Sequence, residues 1–252
     1  MSTHPLIANP APLAVRLEGA RLVYNDNALF DGLDVQLEAG RWTCLLGPSG
    51  VGKTTLLRVL AGLTEGVEGR ITCSDGVPLA GRLVYMGQQD FLYPWLSAEA
   101  NVALGARLRG ETPDMARARA LLDRVGLKGR ERDRPATLSG GMRQRVALAR
   151  TLMEDKPVVL MDEPFSALDS ITRHRIQDLA ASLLRGRTVL LVTHDPAEAL
   201  RLGHRILVMV GAPVRIEDVP PPPGDTPRDP AAPELGARMG ALLARLAAAA
   251  GA

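Results

Sequence analysis

A glycine-rich stretch, Gly47-Pro48-Ser49-Gly50-Val51-Gly52-Lys53-Thr54-Thr55, constrains the fold of this chain more than any other part of it. It follows an apolar run, Trp42-Thr43-Cys44-Leu45-Leu46, and precedes a helix-like run from Leu56 to Ala61. A strand, a tight loop and a helix are thus expected in the order that a phosphate-binding loop requires. A plain glycine-rich turn before a helix is the bland alternative, and the flanks on both sides argue against it.

Each residue type in the stretch has its own physical reason. Glycine lets the backbone curl until successive N–H groups point at phosphate oxygens, and the positive end of the following helix favours the same charge. Lys53 adds a point charge within reach of the β- and γ-phosphates, Thr54 a hydroxyl for Mg²⁺, and Thr55 a hydroxyl on the α-phosphate side. The expected ligand is a nucleoside triphosphate with its magnesium ion.

A chain of 252 residues can bury the core of one large α/β domain with subdomains, or of two modest domains. Its net charge of +2 and pI of 8.7 leave no concentrated basic footprint, which disfavours a nucleic-acid partner. Cys44 and Cys73 lie in apolar or strand-like surroundings without a Cys-x-x-Cys pair or a histidine cluster, as buried thiols of a reducing compartment do. Met1 to Pro12 lacks the charged and apolar regions of a secretion signal, and no apolar run approaches about eighteen residues, so no membrane span is expected.

Hydrophobic periodicity organises the rest. Antiparallel strands are expected from Leu13-Val15-Leu17, Leu22-Val23-Tyr24 and Leu33-Val35-Leu37, ending in a turn at Ala39-Gly40. Gly62 stops the helix after the loop, and strands are expected around Ile71 to Cys73 and Leu83 to Tyr85. From about 91 to 150 the pattern is helical, with Met115, Ala118, Leu121, Leu122 and Val125 at spacings of three and four, which predicts an inserted helical subdomain. Val158 to Met161 reads as a buried parallel strand, and a helix over 168–184 is expected to bury Leu168, Ile171, Leu179 and Leu183. Strands from Thr188 to Val192 and Ile206 to Val210 bracket a short helix with Asp195 as cap and Pro196 in its first turn. The expected fold class is α/β: a P-loop, RecA-like core with an antiparallel β subdomain and the helical insertion, over 13–219. Residues 220–233 are proline-rich and predict an extended linker that packs no core. Over 234–252, Leu235, Met239, Leu242, Leu243 and Leu246 recur at helical spacing and predict an amphipathic tail.

Two acids close the strand that ends at Met161-Asp162-Glu163-Pro164. At the carboxyl end of a buried strand beside a phosphate loop, Asp162 is placed to hold Mg²⁺ and Glu163 to act as general base on the attacking water. His194 ends the strand Val189 to Thr193 on the same expected sheet edge and is assigned to the γ-phosphate. Leu138-Ser139-Gly140-Gly141-Met142 opens another helix, whose unpaired N–H groups and dipole favour an anion. A capped helix start is the bland reading of it. With one phosphate loop already in the chain, a second such surface suggests a nucleotide held by another copy.

Taken together, Gly47 to Thr55, Leu138 to Met142, Leu160-Met161-Asp162-Glu163-Pro164, Ser166-Ala167-Leu168-Asp169 and His194 resemble the ATP-binding subunit of an ABC transporter, in order and spacing, over about Leu13 to Ile216. That resemblance implies that Tyr24 stacks on adenine and that Gln88 touches Mg²⁺ and the attacking water. Gln89 is adjacent, and counting back from Pro94-Trp95 favours Gln88. It also implies that Asp169 bridges two copies and that Ser139, Gly140 and Gly141 cap the partner's γ-phosphate. Such subunits close as head-to-tail dimers on two ATP molecules and drive a membrane permease, here through a groove near Gln88 and the inserted helices. The implied location is peripheral, on the cytoplasmic face of the inner membrane. Tyr93-Pro94-Trp95-Leu96, Gly141-Met142-Arg143-Gln144-Arg145 and Phe165 to Asp169 are similar to import ATPases for nitrate, sulfonates, taurine or the pyrimidine precursor of thiamine, which work with a separate solute-binding protein. Val210 to Ile216 resembles that group's final strand, with Val214 where a glycine is usual. A soluble ABC ATPase acting on nucleic acid or ribosomes, and an exporter subunit, are the alternatives; no heptad run lies between Lys53 and Asp162 to support the former.

Overall fold

The computed structural model describes residues 11–24 and 27–250. The reading of Met1 to Pro12 therefore falls almost wholly outside the described residues. Two sheets and the helices enclose two cores, one on each face of the larger sheet. β1 (Val15–Tyr24) lies between β2 (Asn27–Leu37) and β4 (Glu68–Cys73) in a three-stranded antiparallel sheet. The second sheet has six strands in the order β5-β6-β7-β3-β8-β9, formed by β5 (Leu83–Met86), β6 (Val158–Asp162), β7 (Thr188–Val192), β3 (Trp42–Leu46), β8 (Arg205–Val210) and β9 (Arg215–Val219). Its first five strands are parallel and β9 is an antiparallel edge.

Every residue of β3, β6 and β7 is buried, as short apolar strands covered on both faces must be. The period of two sorts them: Cys44, Leu46, Met161 and Leu191 face one core, while Leu45, Leu160, Leu190 and Leu207 face the other. The second core is closed by the antiparallel sheet and α1 (Lys53–Leu60), and the first by helices. Gly62, at φ 69°, ends α1 with Leu63 N–H donating to Arg58 O at 2.8 Å and Gly62 N–H to Val59 O at 3.0 Å, a left-handed stop that spends the last carbonyls.

The insertion consists of α2 (Ala98–Val102), α3 (Leu104–Leu108), α4 (Met115–Arg124) and α5 (Gly140–Met153). Ala118, Leu121, Leu122 and Val125 of the α4 segment are buried, as their spacing requires. After β6 come α6 (Ser170–Leu183) and, after β7, α7 (Pro196–Leu202). Three expectations change. Ile171, expected to be buried, is 73% exposed: the inward stripe of α6 is Ile176 and Ala180, continued by Leu184, and Ile171 stands about 140° from it around the helix. Leu179 and Leu183 are only partly buried at its margin. Cys73 is half-buried on the outer strand β4, whereas Cys44 is fully buried.

The third concerns the segment expected to pack nothing. Residues 220–232 carry no helix or strand, yet Arg228 is buried and donates to Leu200 O at 2.7 Å and Gly203 O at 2.8 Å, closing the carboxyl end of α7. Proline-rich composition forecasts the absence of regular structure and is silent about one well-placed guanidinium. Beyond it, α8 (Pro233–Ala250) docks on the first core through Leu235 and Leu242.

Candidate active site

The phosphate loop joins β3 to α1. Gly47 has φ 151°, and a Cβ there would lie 2.7 Å from Met209 O, so no side chain fits without moving β8. Gly52, at φ 110°, packs under Leu29 and Phe30 of β2, and a Cβ would meet Leu29 Cδ1 at 3.2 Å. Lys53 Nζ donates to Gly47 O at 2.8 Å and Pro48 O at 2.7 Å, which stretches the side chain across the loop. An ammonium has three donors, so one remains for a ligand. Burial lowers the Lys53 pKa, opposed by the charges of Glu163 and Asp162.

Asp162 ends β6 next to this loop and is 2% exposed. Its Oδ2 accepts from Thr54 Oγ1 at 2.8 Å, and burial raises its pKa while the threonine bond opposes the rise. A carboxylate and a hydroxyl side by side form a hard oxygen pair, the donor chemistry Mg²⁺ prefers. Among the described residues no group of three or more His, Cys, Asp and Glu could hold a metal. Two protein ligands fit an ion that takes the rest of its shell from phosphate and water.

Glu163 follows with φ 49°, a left-handed conformation that costs a side-chain-bearing residue roughly 1–2 kcal/mol. Its N–H donates to Val192 O at 2.9 Å, which ties the turn to β7. On Glu163 Oε2, Gln88 Nε2 donates at 3.2 Å and His194 Nδ1 lies at 3.1 Å. Of the two adjacent glutamines, it is Gln88 that makes this contact with Glu163. Ser49, Gly50, Gly52, Lys53, Thr54, Thr55, Gln88, Asp162 and Glu163 line an open cleft of about 300 Å³.

Other expected site residues lie outside that cleft lining. Tyr24 is 51% exposed and paired with Asn27 at the tip of the hairpin that carries Leu29 and Phe30. Ser139 and Gly140 are exposed at the start of α5, where Ser139 Oγ accepts from Met142 N–H at 3.3 Å. A Cβ on Gly141 would come within 3.1 Å of Ala167 O, so the start of α5 packs closely on the loop that leads to Asp169. Asp169 is exposed and caps α6 through Thr172 N–H at 3.0 Å, and that bond leads the lowering of its pKa.

A family model described as ABC transporter matches residues 30–166. The chain belongs to the ABC transporter family, as an ATP-binding domain. An uncharacterized ABC transporter ATP-binding protein of Haemophilus influenzae is 49% identical over 199 residues, spanning 77% of this chain and 81% of that one. Aliphatic sulfonates import ATP-binding proteins of Burkholderia cenocepacia and Rhodococcus jostii are 42% and 46% identical, covering 96% and 78% of this chain and 92% and 81% of theirs. Among solved structures, the dimeric post-hydrolysis state of an ATP-binding cassette bound to ADP and Pi superposes with a TM-score of 0.69 at 30% identity, over 82% of this chain and 99% of that one. The expected fold is therefore that of an ABC ATPase cassette, and the reaction is ATP hydrolysis.

Sequence reasoning passed over Thr193 and Glu198, which flank and support the His194 turn. Their signal was present, an acid one turn into the helix that follows a Thr-His-Asp strand end, but an acid in a first helical turn reads equally well as a partner for the helix dipole.

Proposed function

We propose that this chain powers a bacterial importer of aliphatic sulfonates, as a head-to-tail dimer that closes on two ATP molecules and reopens after hydrolysis. The convergence of Gln88 and His194 on Glu163 Oε2, beside Lys53 and the Thr54–Asp162 pair, carries the reading. Glu163 takes a proton from the attacking water. Gln88 and His194 aim its carboxylate at the cleft, and His194 also reaches the γ-phosphate. Lys53 offers its third donor to the phosphates, and the curled loop presents its N–H groups to them. Thr54 and Asp162 would hold Mg²⁺, which when bound neutralises charge across the β- and γ-phosphate oxygens.

Ser139, Gly140 and Gly141 then complete a partner copy's site, Asp169 spans the seam, and Tyr24 stacks on adenine. The exposure of Tyr24, Ser139, Gly140 and Asp169 outside their own cleft supports the assignment, with Gly141 half-buried beside them. The permease docks at the loop after Gln88, where Phe91 and Trp95 are 62% and 65% exposed and Arg150 fixes the backbone through Asp90 O and Phe91 O at 2.6 and 2.9 Å. Among the described residues no helix is long and apolar enough to cross a membrane. Docked on its permease, the chain is a peripheral subunit on the cytoplasmic face. Names of relatives at 42–47% identity supply the solute class among those the motifs resemble.

Purified protein with Glu163→Gln is expected to bind ATP, lose turnover and elute as a dimer with ATP. Ser139→Arg is expected to bind ATP yet neither dimerise nor hydrolyse it. Turnover by Glu163→Gln at the wild-type rate would contradict the base assignment. In vesicles with permease and solute-binding protein, an alkanesulfonate should raise ATPase activity; stimulation by nitrate in its place would overturn the solute class.

A further inference from the structure

We propose that Glu198 is a positioning residue for hydrolysis, locking the turn that presents His194 to Glu163. The inference rests on the reading of His194 as a γ-phosphate group. The His194 side chain is 64% exposed, so packing does not fix it; its place is set by the backbone on either side. One hydroxyl ties the two neighbours together, beside the Thr193 N–H bond to Leu45 O at 3.2 Å and the Arg173–Asp195 pair at 3.5 Å. Thr193 Oγ1 accepts from Asp195 N–H at 3.0 Å and donates to Glu198 Oε2 at 2.7 Å. Asp195 in turn caps α7 through Ala197 N–H at 2.8 Å, so the turn and the helix start form one hydrogen-bonded unit with Glu198 at its centre.

Glu198 is itself held. It is 6% exposed, its Oε1 accepts from Gln177 Nε2 at 3.2 Å, and Arg173 Nε lies 3.8 Å away. Gln177 accepts in its turn from Arg201 Nη1 at 2.9 Å. Burying a carboxylate is costly where an apolar residue of similar volume would pack as well, so helix packing alone does not call for an acid here. A charged acceptor makes a shorter and stronger bond to a hydroxyl than a neutral one, which suits a group that must hold a turn rigid. Glu198 also faces the catalytic carboxylate across a niche of about 20 Å³, room for one water, shared with Ser166, Arg173 and His194. Loss of the Thr193 hydroxyl bonds therefore shifts the imidazole relative to Glu163, while the Thr193 N–H bond to Leu45 O keeps the end of β3 before the phosphate loop in place.

The test uses the full chain with Glu198→Gln, which keeps the shape, and Thr193→Val, which removes only the hydroxyl, beside Glu198→Ala. ATPase kinetics and the side-chain NMR resonances of His194, with His204 as the remote control, are recorded on each. Glu198→Ala and Thr193→Val, each of which removes two hydrogen bonds of the unit, are expected to lower kcat about tenfold, with KM for ATP within about twofold. The His194 resonances should move while those of His204 stay, Thr193→Ser should restore both readouts, and His194→Ala should make Thr193→Val silent. Unmoved His194 resonances in folded Thr193→Val protein, whatever its turnover, overturn the proposal. If the resonances move and turnover does not, Glu198 positions His194 as inferred, and it is the γ-phosphate reading of His194 that fails.

Discussion

The two edges of the six-stranded sheet treat polar groups in opposite ways. At the carboxyl edge, Lys53, Asp162 and Glu163 line an open cleft and His194 stands against Glu163, with Glu163 in a strained conformation and Gly47 in a place that admits no side chain. At the amino edge, buried polar groups are tied to the chain itself. Arg187, 2% exposed, donates to Lys156 O and pairs with Asp155. Thr188 Oγ1 donates to Leu13 O at 2.6 Å and accepts from Gly40 N–H at 3.0 Å. His204 Nδ1 accepts from Trp42 N–H at 3.0 Å, which leaves Nε2 protonated to donate to Thr226 Oγ1 at 2.9 Å. One edge holds donors and acceptors ready for something outside the chain, and the other uses them to close the chain on itself.

If that division holds, substitutions at the carboxyl edge cost turnover and those at the amino edge cost stability. The largest effect is expected at Glu163. Glu163→Ala and Glu163→Gly should both lose at least about 100-fold in kcat, the usual weight of a general base. They should differ in stability, because glycine accepts φ 49° and alanine does not: by urea unfolding the glycine variant should be the more stable, by about 1 kcal/mol. Equal stability of the two would mean that the left-handed turn is not strained and that the contrast between the edges is weaker than drawn.

At the other edge, Arg187→Ala removes a buried guanidinium and takes one donor from Lys156 O and one from Asp155, which keeps Arg117 at 3.6 Å. A loss of about 3 kcal/mol is expected, at the lower end for a broken buried pair because Asp155 retains some water. The ATPase rate of the folded protein should stay within about twofold. Arg228→Ala should cost less, about 2 kcal/mol, through the carbonyls of Leu200 and Gly203 left at the end of α7. Either variant that unfolds no more easily than wild type, while losing turnover, would break the division.

The carboxyl edge was the more legible of the two in sequence, for a physical reason. Residue types that bind phosphate are rare in combination, and their place at strand ends follows from apolar runs such as Trp42 to Leu46 and Val158 to Met161. Lys53, Thr54, Asp162, Glu163 and His194 could therefore be put on one edge before any geometry was known. Contact between Gln88 and Glu163 could not: the spacing to Pro94-Trp95 favours Gln88 over Gln89 but does not say which side chain Gln88 meets. The amino edge carries no such vocabulary. Arg187, Arg228 and His204 look like any surface residues until their partners, carbonyls for the arginines and an N–H and a hydroxyl for the histidine, are located in space, and those partners come from distant parts of the chain. Ile171 failed for a related reason: periodicity reveals that α6 has a buried face but fixes its phase poorly when apolar residues are sparse.

The smallest effect is a dependence on pH near neutrality, and it sharpens the contrast because the group behind it, His204, stands at the amino edge. His204 is half-buried, and burial lowers its pKa from the ordinary 6.5, helped by the nearby charges of Arg41 and Arg228 and opposed by Glu38 and Asp225. The folded state thus prefers the neutral ring, whose Nδ1 can accept from Trp42. As pH falls through 6.5 the unfolded chain takes up the proton first, so unfolding gains protons and stability declines; above 6.5 both states are neutral and the contribution is complete. Thermal unfolding should show Tm falling between about pH 7 and pH 5.5, and His204→Asn, which keeps an acceptor near Nδ1 but does not titrate, should flatten that part of the curve. A curve of unchanged slope in His204→Asn would remove the histidine from the account. A parallel fall in kcat at pH 7 in the same variant would show that the two edges communicate, which the separation of their hydrogen-bonded networks argues against.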